Sequence, residues 1–374
     1  MPHQLTAAGS GTSFGYYVHV PFCARRCDYC AFATWTDRSP LIERYLRACR
    51  IDIERVVPDA PPATSVFFGG GTPSLVPAAL LVDVLDAIPR APDAEVTVEC
   101  NPDTVTSELF AAYRAAGVTR VSLGVQSMVP HVLAALGRTH DPQNVRRSVE
   151  LAREVGFETF NLDLIYGAAG ESLDDWRRTL DDALALDPPH VSAYALTVEP
   201  GTALADDVVR HPDDDDQADK YTMATDVFLE AGLRWYEISN WARPGHECLH
   251  NFLYWRQGEY VGVGCAAHSH RGGRRWWNVR TPERYIDAID EARSPEAGGE
   301  RLDDEGRALE GLQLALRTAE GVPSDALPDD DDLSDLLTSD DGGRVVLTVK
   351  GRLLANEVAL RLRQPAATAG SCTT

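Results

Sequence analysis

Short apolar runs alternate with longer stretches whose apolar positions recur at helical spacing over the first two-thirds of the chain. The runs predict strands at Tyr17–Val20, Ser65–Phe68, Glu95–Glu99, Arg120–Val125, Thr159–Ile165 and His190–Leu196. Between them the pattern predicts helices over Ile42–Val56, Ala78–Ile88, Ser107–Ala116, Pro142–Val155 and Leu173–Leu186. Pro142 suits a helix start, and Gly117 and Gly156 suit helix ends. Six β–α units in succession imply an α/β fold with a parallel sheet and right-handed crossovers. Six units fit a partial (β/α)6 barrel better than a closed eight-stranded one.

The pattern breaks after residue 235. We divide the chain into a partial barrel (1–235), an extension rich in Gly, His and aromatic residues (236–298), and a small C-terminal α+β domain (299–374). The last reads as winged-helix-like: a helix Asp303–Thr318, an acidic loop, a strand Arg344–Thr348, a turn at Gly351 and a helix Leu353–Arg363. The terminal QPAATAGSCTT reads as frayed.

Composition narrows the class. The chain has 374 residues, 44% of them hydrophobic, enough for a sizeable core. No apolar run approaches the roughly 18 residues of a membrane span, and no secretory signal is visible, so a cytoplasmic protein is expected. Eight Cys in such a chain point to metal rather than to disulfides. Acidic residues outnumber basic ones 57 to 35, a net charge of −22, and Lys220 and Lys350 are the only lysines. Nucleic-acid binding needs clustered positive charge and is not expected. The acidic blocks 211–219 and 327–341 read as solvated loops on a surface suited to high salt.

Candidate chemistry begins at Cys23, Cys27 and Cys30, spaced C-x3-C-x2-C just beyond the first strand. Three thiolates can hold three corners of a [4Fe–4S] cluster and leave the fourth iron open to a small molecule. A zinc site completed by His19 or Cys49 is the alternative, though zinc sites usually show paired C-x2-C arms. Tyr29 is placed to shield the cluster or stack on its ligand. Gly69, Gly70, Gly71 and Thr72 close the second strand, where glycines let backbone amides approach a polar ligand. Glu99, Gln126 and Asp163 fall at later strand ends and would converge on the same mouth, with Arg138 able to pair with a carboxylate. Together they suit a zwitterionic nucleoside. Further on, His250, Asn251, Phe252, Leu253, Tyr254 and Trp255 combine an imidazole with flat rings. Such a run can serve haem, but residue chemistry alone favours a buried His in an aromatic cluster. The roles of Cys248, Cys265 and His268 stay open; Gly262–Ser269 reads as a tight turn holding a further possible ligand.

The segments YVHVPFCARRCDYC, FFGGGTPS, VECNPD, VSLGVQS, LGRTHD and NLDLIYG resemble, in order, the radical S-adenosylmethionine (SAM) enzymes of the oxygen-independent coproporphyrinogen III oxidase superfamily. The resemblance runs from about Tyr16 into the C-terminal domain. It implies a radical SAM barrel with a [4Fe–4S] cluster on Cys23, Cys27 and Cys30. It also implies SAM on the open iron, cleaved by one electron to methionine and a 5′-deoxyadenosyl radical. The SAM contacts it implies are Tyr17, Tyr29, Gly70, Gly71, Thr72, Glu99, Gln126, Arg138 and Asp163, with Thr197 a weaker correspondence. The oxidases carry a further Cys two residues after the third; here that position is Phe32. A C-x-F ending and an H-N-x-x-Y-W motif resemble the HemW branch, the haem chaperones. That branch implies haem as cargo near His250, an apo-haemoprotein acceptor and an electron donor, and it leaves peripheral membrane association open. The alternative is the oxidase reaction itself, oxidative decarboxylation of coproporphyrinogen III propionates. One departure is Ala168-Ala169-Gly170-Glu171-Ser172, where the family more often has Leu-Pro-Gly-Gln-Thr.

Overall fold

The computed structural model describes residues 13–328, 330–339 and 342–363. Strands β1 (Phe14–Val20), β2 (Ala63–Gly70), β3 (Arg90–Cys100), β4 (Arg120–Gln126), β5 (Thr159–Tyr166) and β6 (His190–Ala195) pair in sequence order, all parallel. Helices α1 (Ile42–Val56), α2 (Ala78–Asp86), α3 (Ser107–Ala115), α4 (Pro130–Ala135), α5 (Pro142–Glu154) and α6 (Leu173–Leu184) fill the crossovers. The expected strands and helices are all present, with ends shifted by a few residues. Gly117 and Gly156, at φ 91° and 85°, follow α3 and α5 in the left-handed conformation that turns a chain out of a helix.

Alternation along the strands sets the two faces of the sheet. Tyr16, Val18, Val66, Phe68, Val96, Val98, Val121, Leu123, Leu162 and Val191 join one continuous buried cluster with the helices. The other face carries Tyr17, His19, Ser65, Glu95, Glu99, Ser122, Asn161, Asp163, His190 and Ser192. Buried parallel strands are usually apolar on both faces, so a polar inner face must satisfy itself by hydrogen bonding. Asn161 Nδ2 lies 2.8 Å from both Ser122 Oγ and Asp163 Oδ1, and its Oδ1 lies 2.6 Å from His190 Nδ1. Ser192 donates to Asn240 Oδ1 at 2.6 Å.

The segment 236–298 builds on both edges of this sheet. β7 (Arg234–Glu237) and β8 (Asn240–Ala242) follow β6 on one side. On the other, β9 (Glu259–Val263) runs parallel to β1, followed by β10 (His268–Arg271), β11 (Arg274–Asn278) and β12 (Glu296–Arg301). Without β9, β1 would be an edge strand with unpaired backbone groups. Two further helices are α7 (Asp214–Glu230) and α8 (Leu249–Trp255). Towards the C-terminus a helix Asp304–Ala315 and a three-stranded antiparallel sheet share a second apolar cluster that includes Leu316, Val322, Leu347 and Val358.

Three expectations are corrected. The acidic block 327–341 is not all loop: Asp331–Leu333 forms a 3-10 turn and Leu337–Ser339 a strand of the small sheet. The acidic block 211–219 is not all loop: α7 starts within it. Asp213 caps that helix by accepting from the Asp216 amide, and Asp214–Asp216 complement the positive end of the helix dipole. The expected turn at Gly351 lies inside a short helix, Val349–Leu353, and the last predicted helix is reduced to Ala355–Ala359, the two separated where Leu354 leaves helical geometry at φ −108° and ψ 23°. The frayed tail lies outside the described residues.

Candidate functional site

The carboxyl ends of β1–β6 surround a cavity of about 500 Å³. Its lining includes Cys23, Cys27, Cys30, Tyr29, Gly70, Gly71, Thr72, Glu99, Gln126, Arg138, Asp163 and Thr197. The expected convergence on one mouth is therefore present for all of these residues. Tyr17 and His250 do not line it.

Local backbone explains the cradle. Gly70 sits at φ 106°, and a Cβ there would meet the His19 ring at 2.3 Å. A Cβ on Gly71 would meet the carbonyl oxygens of Val20 and Phe22 at 2.7 Å. Glycine thus lets the turn after β2 lie directly on the strand that leads into the Cys loop, with the Gly71 and Thr72 amides bonded to Val20 and Phe22. At the end of β4 the register shifts, and Gln126 takes φ 63°. A left-handed conformation is uncommon for a residue with a side chain, and such conformations cluster at functional sites.

The thiols have polar company. Arg138 Nη1 donates to Cys27 Sγ and Thr72 Oγ1 to Cys23 Sγ, each at 3.6 Å. Burial raises the Cys23 and Cys30 thiols above the usual range, while the Thr72 bond works against this at Cys23 and the Phe32 backbone at Cys30. Glu99 accepts from the Gly70 amide at 3.1 Å. Burial, then the nearby Asp163 charge, pushes its carboxyl up to about 8. Asp163 is also raised by burial, opposed by its bonds from Ser122, Ser192 and Asn161.

Two carboxyls short of a countercharge, a glycine cradle and an Arg beside a thiol suit a ligand with a cationic amino group. The three free thiols suit the cluster. The two residues considered as a fourth zinc ligand are engaged elsewhere. His19 is taken up by Tyr17 at Nδ1 and by the Ala33 carbonyl at Nε2, and Cys49 is buried beside Tyr45 and Tyr285. Among the described residues no three His, Cys, Asp or Glu side chains gather to hold a single ion.

Sequence reasoning missed Ser122, Cys100, Asn101 and His140, which also line the cavity. For Ser122 a signal was available: it lies two positions before Gly124 on β4, so strand alternation places it on the inner face.

His250 lies at the opposite end of the barrel. Its ring sits 2.9 Å from Ser65 Oγ at Nδ1 and 2.9 Å from Tyr254 OH at Nε2, with 1% of the residue exposed. It is stacked on Phe67 at 5.3 Å, and burial pushes its pKa down to about 3. Glu95 accepts from the Leu249 and His250 amides, which anchors the start of α8 beneath the sheet. Gly15 and Ser65 border this ring near the starts of β1 and β2. At about 3.3 Å per residue along β1, the ring is roughly 15 Å or more from the Cys loop. Cys248 is buried against Glu95, and Cys265 is buried against Tyr45.

A half-barrel of parallel β–α units with three thiols at its mouth defines a radical SAM protein, and the family model of the radical SAM superfamily matches residues 17–183. The chain is 44% identical to the haem chaperone HemW of Mycobacterium tuberculosis, over 94% of this chain and 95% of that one. It is 33% identical to HemW of Bacillus subtilis, over 91% and 97%. The chain belongs to the HemW family. Its fold matches that of the radical SAM enzyme coproporphyrinogen III oxidase, HemN, from Escherichia coli, with TM-score 0.80 over 93% of this chain and 89% of that one. At 23% identity that likeness is one of fold.

Proposed function

We propose that this chain carries haem and delivers it to apo-haemoproteins, with a [4Fe–4S] cluster on Cys23, Cys27 and Cys30 and SAM beside it. The observation that carries the reading is 44% identity to a haem chaperone over nearly the whole of both chains. Phe32 supports it: where the oxidases place a further Cys, this chain has a phenylalanine that lines the cavity and is 66% exposed.

When bound, the cluster and SAM supply one-electron chemistry. The chain's own groups bind and orient. Arg138, held by the Gly124 carbonyl at 2.9 Å, keeps a positive charge beside the Cys27 sulfur. Glu99 and Asp163 would receive the ligand's cationic amino group, with the Gly70–Gly71 turn alongside. Tyr29 packs with Val129, Ile165 and Leu204 as an apolar wall that limits water at the mouth. Haem is the cargo, and an apo-haemoprotein and an electron donor are separate partners.

The test is anaerobic reconstitution followed by two assays. One titrates haem and follows its transfer to an apo-haemoprotein; the other supplies SAM, reductant and coproporphyrinogen III. Stoichiometric haem binding and transfer is expected. Multiple-turnover formation of protoporphyrinogen would overturn the chaperone reading in favour of the oxidase. Cys27→Ala is expected to lose the brown chromophore, and full iron retention would remove the cluster assignment.

A further inference from the structure

Haem ligation needs an imidazole with a free nitrogen lone pair and room for a flat macrocycle. His250 offers neither: both ring nitrogens have partners, and the ring is enclosed. His268, at the start of β10, offers both. The residue is exposed, and neither ring nitrogen has a hydrogen-bond partner among the described residues. Its ring lies 5.8 Å from that of Trp277, its partner across the β10–β11 pair, at an interplanar angle of 32°.

The two side chains face the inner side of the sheet. Their neighbours Val261, Val263 and Trp276 pack on the helical core, so the alternating positions Gly262, His268 and Trp277 lie on the other face. Gly262 is in register with Tyr17, whose ring stacks at 6.3 Å on Phe67. A row of flat side chains thus runs across the inner face from β2 to β11, broken at a glycine. With strands about 4.8 Å apart, His268 stands roughly 10 Å across the sheet from Tyr17. The Trp277 indole lies over Gly298, its partner on β12, where a Cβ would meet it at 2.8 Å. Partial burial, then the Arg275 charge, lowers the His268 pKa, which keeps the ring neutral and its lone pair available.

We propose that His268 supplies the axial nitrogen to an iron porphyrin that lies against Trp277 on the inner face of β10 and β11. The neutral imidazole donates a lone pair to iron; no electron is transferred and no proton leaves. The assignment rests on the haem-carrying reading above and concerns where the cargo sits.

The experiment titrates ferric haem into the reconstituted full chain and its variants and follows the Soret band. His268→Ala is expected to weaken binding at least tenfold and to lose the imidazole-ligated spectrum. In His268→Gly, added imidazole is expected to restore that spectrum, which a merely structural role would not permit. Trp277→Leu is expected to weaken binding while keeping the ligated spectrum. Wild-type affinity and spectrum in His268→Ala, with both lost in His250→Ala, would overturn the His268 assignment and leave the chaperone reading standing. Absence of haem binding by the wild type would overturn both. Because His268 is exposed, its variants are expected to fold, and their thermal melts check this.

Discussion

Glu99 is the residue whose chemistry is most sensitive to occupancy of the mouth. It is a carboxyl among strand ends that accepts from the Gly70 amide, and its pKa is raised to about 8. In the ligand-free chain the folded state therefore holds a proton that the unfolded state releases near pH 4.5. Stability contributed this way is present at low pH and is lost as pH rises towards about 8. Buried His19, His190 and His250, whose pKa values are lowered, act in the opposite sense, but only below their ordinary value of 6.5. Between pH 6.5 and 8 the raised carboxyls are left, among them Glu237 at about 7. The unfolding free energy without SAM should fall across that window, by at most about 1.4 kcal/mol per pH unit for each carboxyl. Glu99→Gln should flatten the slope, and an unchanged slope would show that Glu99 is already ionised. Glu99 was legible as a candidate from its place at a strand end. Its titration was not, because that depends on Asp163 and on burial set by the packed barrel.

Between elements, the buried Lys220 carries the arrangement of the loop after β5. Its side chain is fully buried, and Nζ donates to Asp216 Oδ2 at 2.6 Å and to the Glu171 carbonyl at 2.7 Å. Glu171 Oε2, 3.4 Å away, also accepts from the Gly167 amide. This ties α7 to the segment between β5 and α6, the place where the chain departs from the family pattern with Glu171. Removing one member of a buried pair strands the other, at a cost of about 3–5 kcal/mol. Lys220→Met should lower unfolding free energy by that amount in chemical denaturation, and adding Glu171→Met should recover most of it. Equal losses in the single and double variants would mean that packing, not charge, holds the loop. The main strands and helices were readable because each long crossover has an apolar face and marked ends such as Pro142 and Gly156. The strands β7–β12 were not: they are short, β12 reads EAGGER, and β9 exists because β1, about 245 positions earlier, needs a neighbour. The aromatic run around His250 reads the same at either end of a barrel. The Glu95 anchor at the start of α8 and the Ser65 contact place it on the floor.

For the whole molecule the decisive quantity is the net charge of −22. Folding gathers this excess of acid into one compact body, and the self-repulsion opposes the compact state. Ion pairs on the surface, such as Arg44–Asp290 and Arg177–Asp181, oppose it weakly, since exposed pairs contribute about 0–1 kcal/mol each. Salt weakens both effects. The Debye length falls from about 10 Å at 0.1 M to about 3 Å at 1 M, so repulsion between distant surface charges is removed before contacts within 3 Å are. The net effect should be stabilisation. The unfolding midpoint should rise between 0.05 and 1 M potassium chloride, with most of the gain below about 0.5 M, where screening changes fastest. Potassium sulfate at matched ionic strength separates screening from surface exclusion: a rise common to both salts belongs to screening, and one confined to sulfate does not. A midpoint that is flat or falls in chloride would mean that local ion pairs outweigh the net charge, and the reading of this surface as one suited to high salt would then be abandoned.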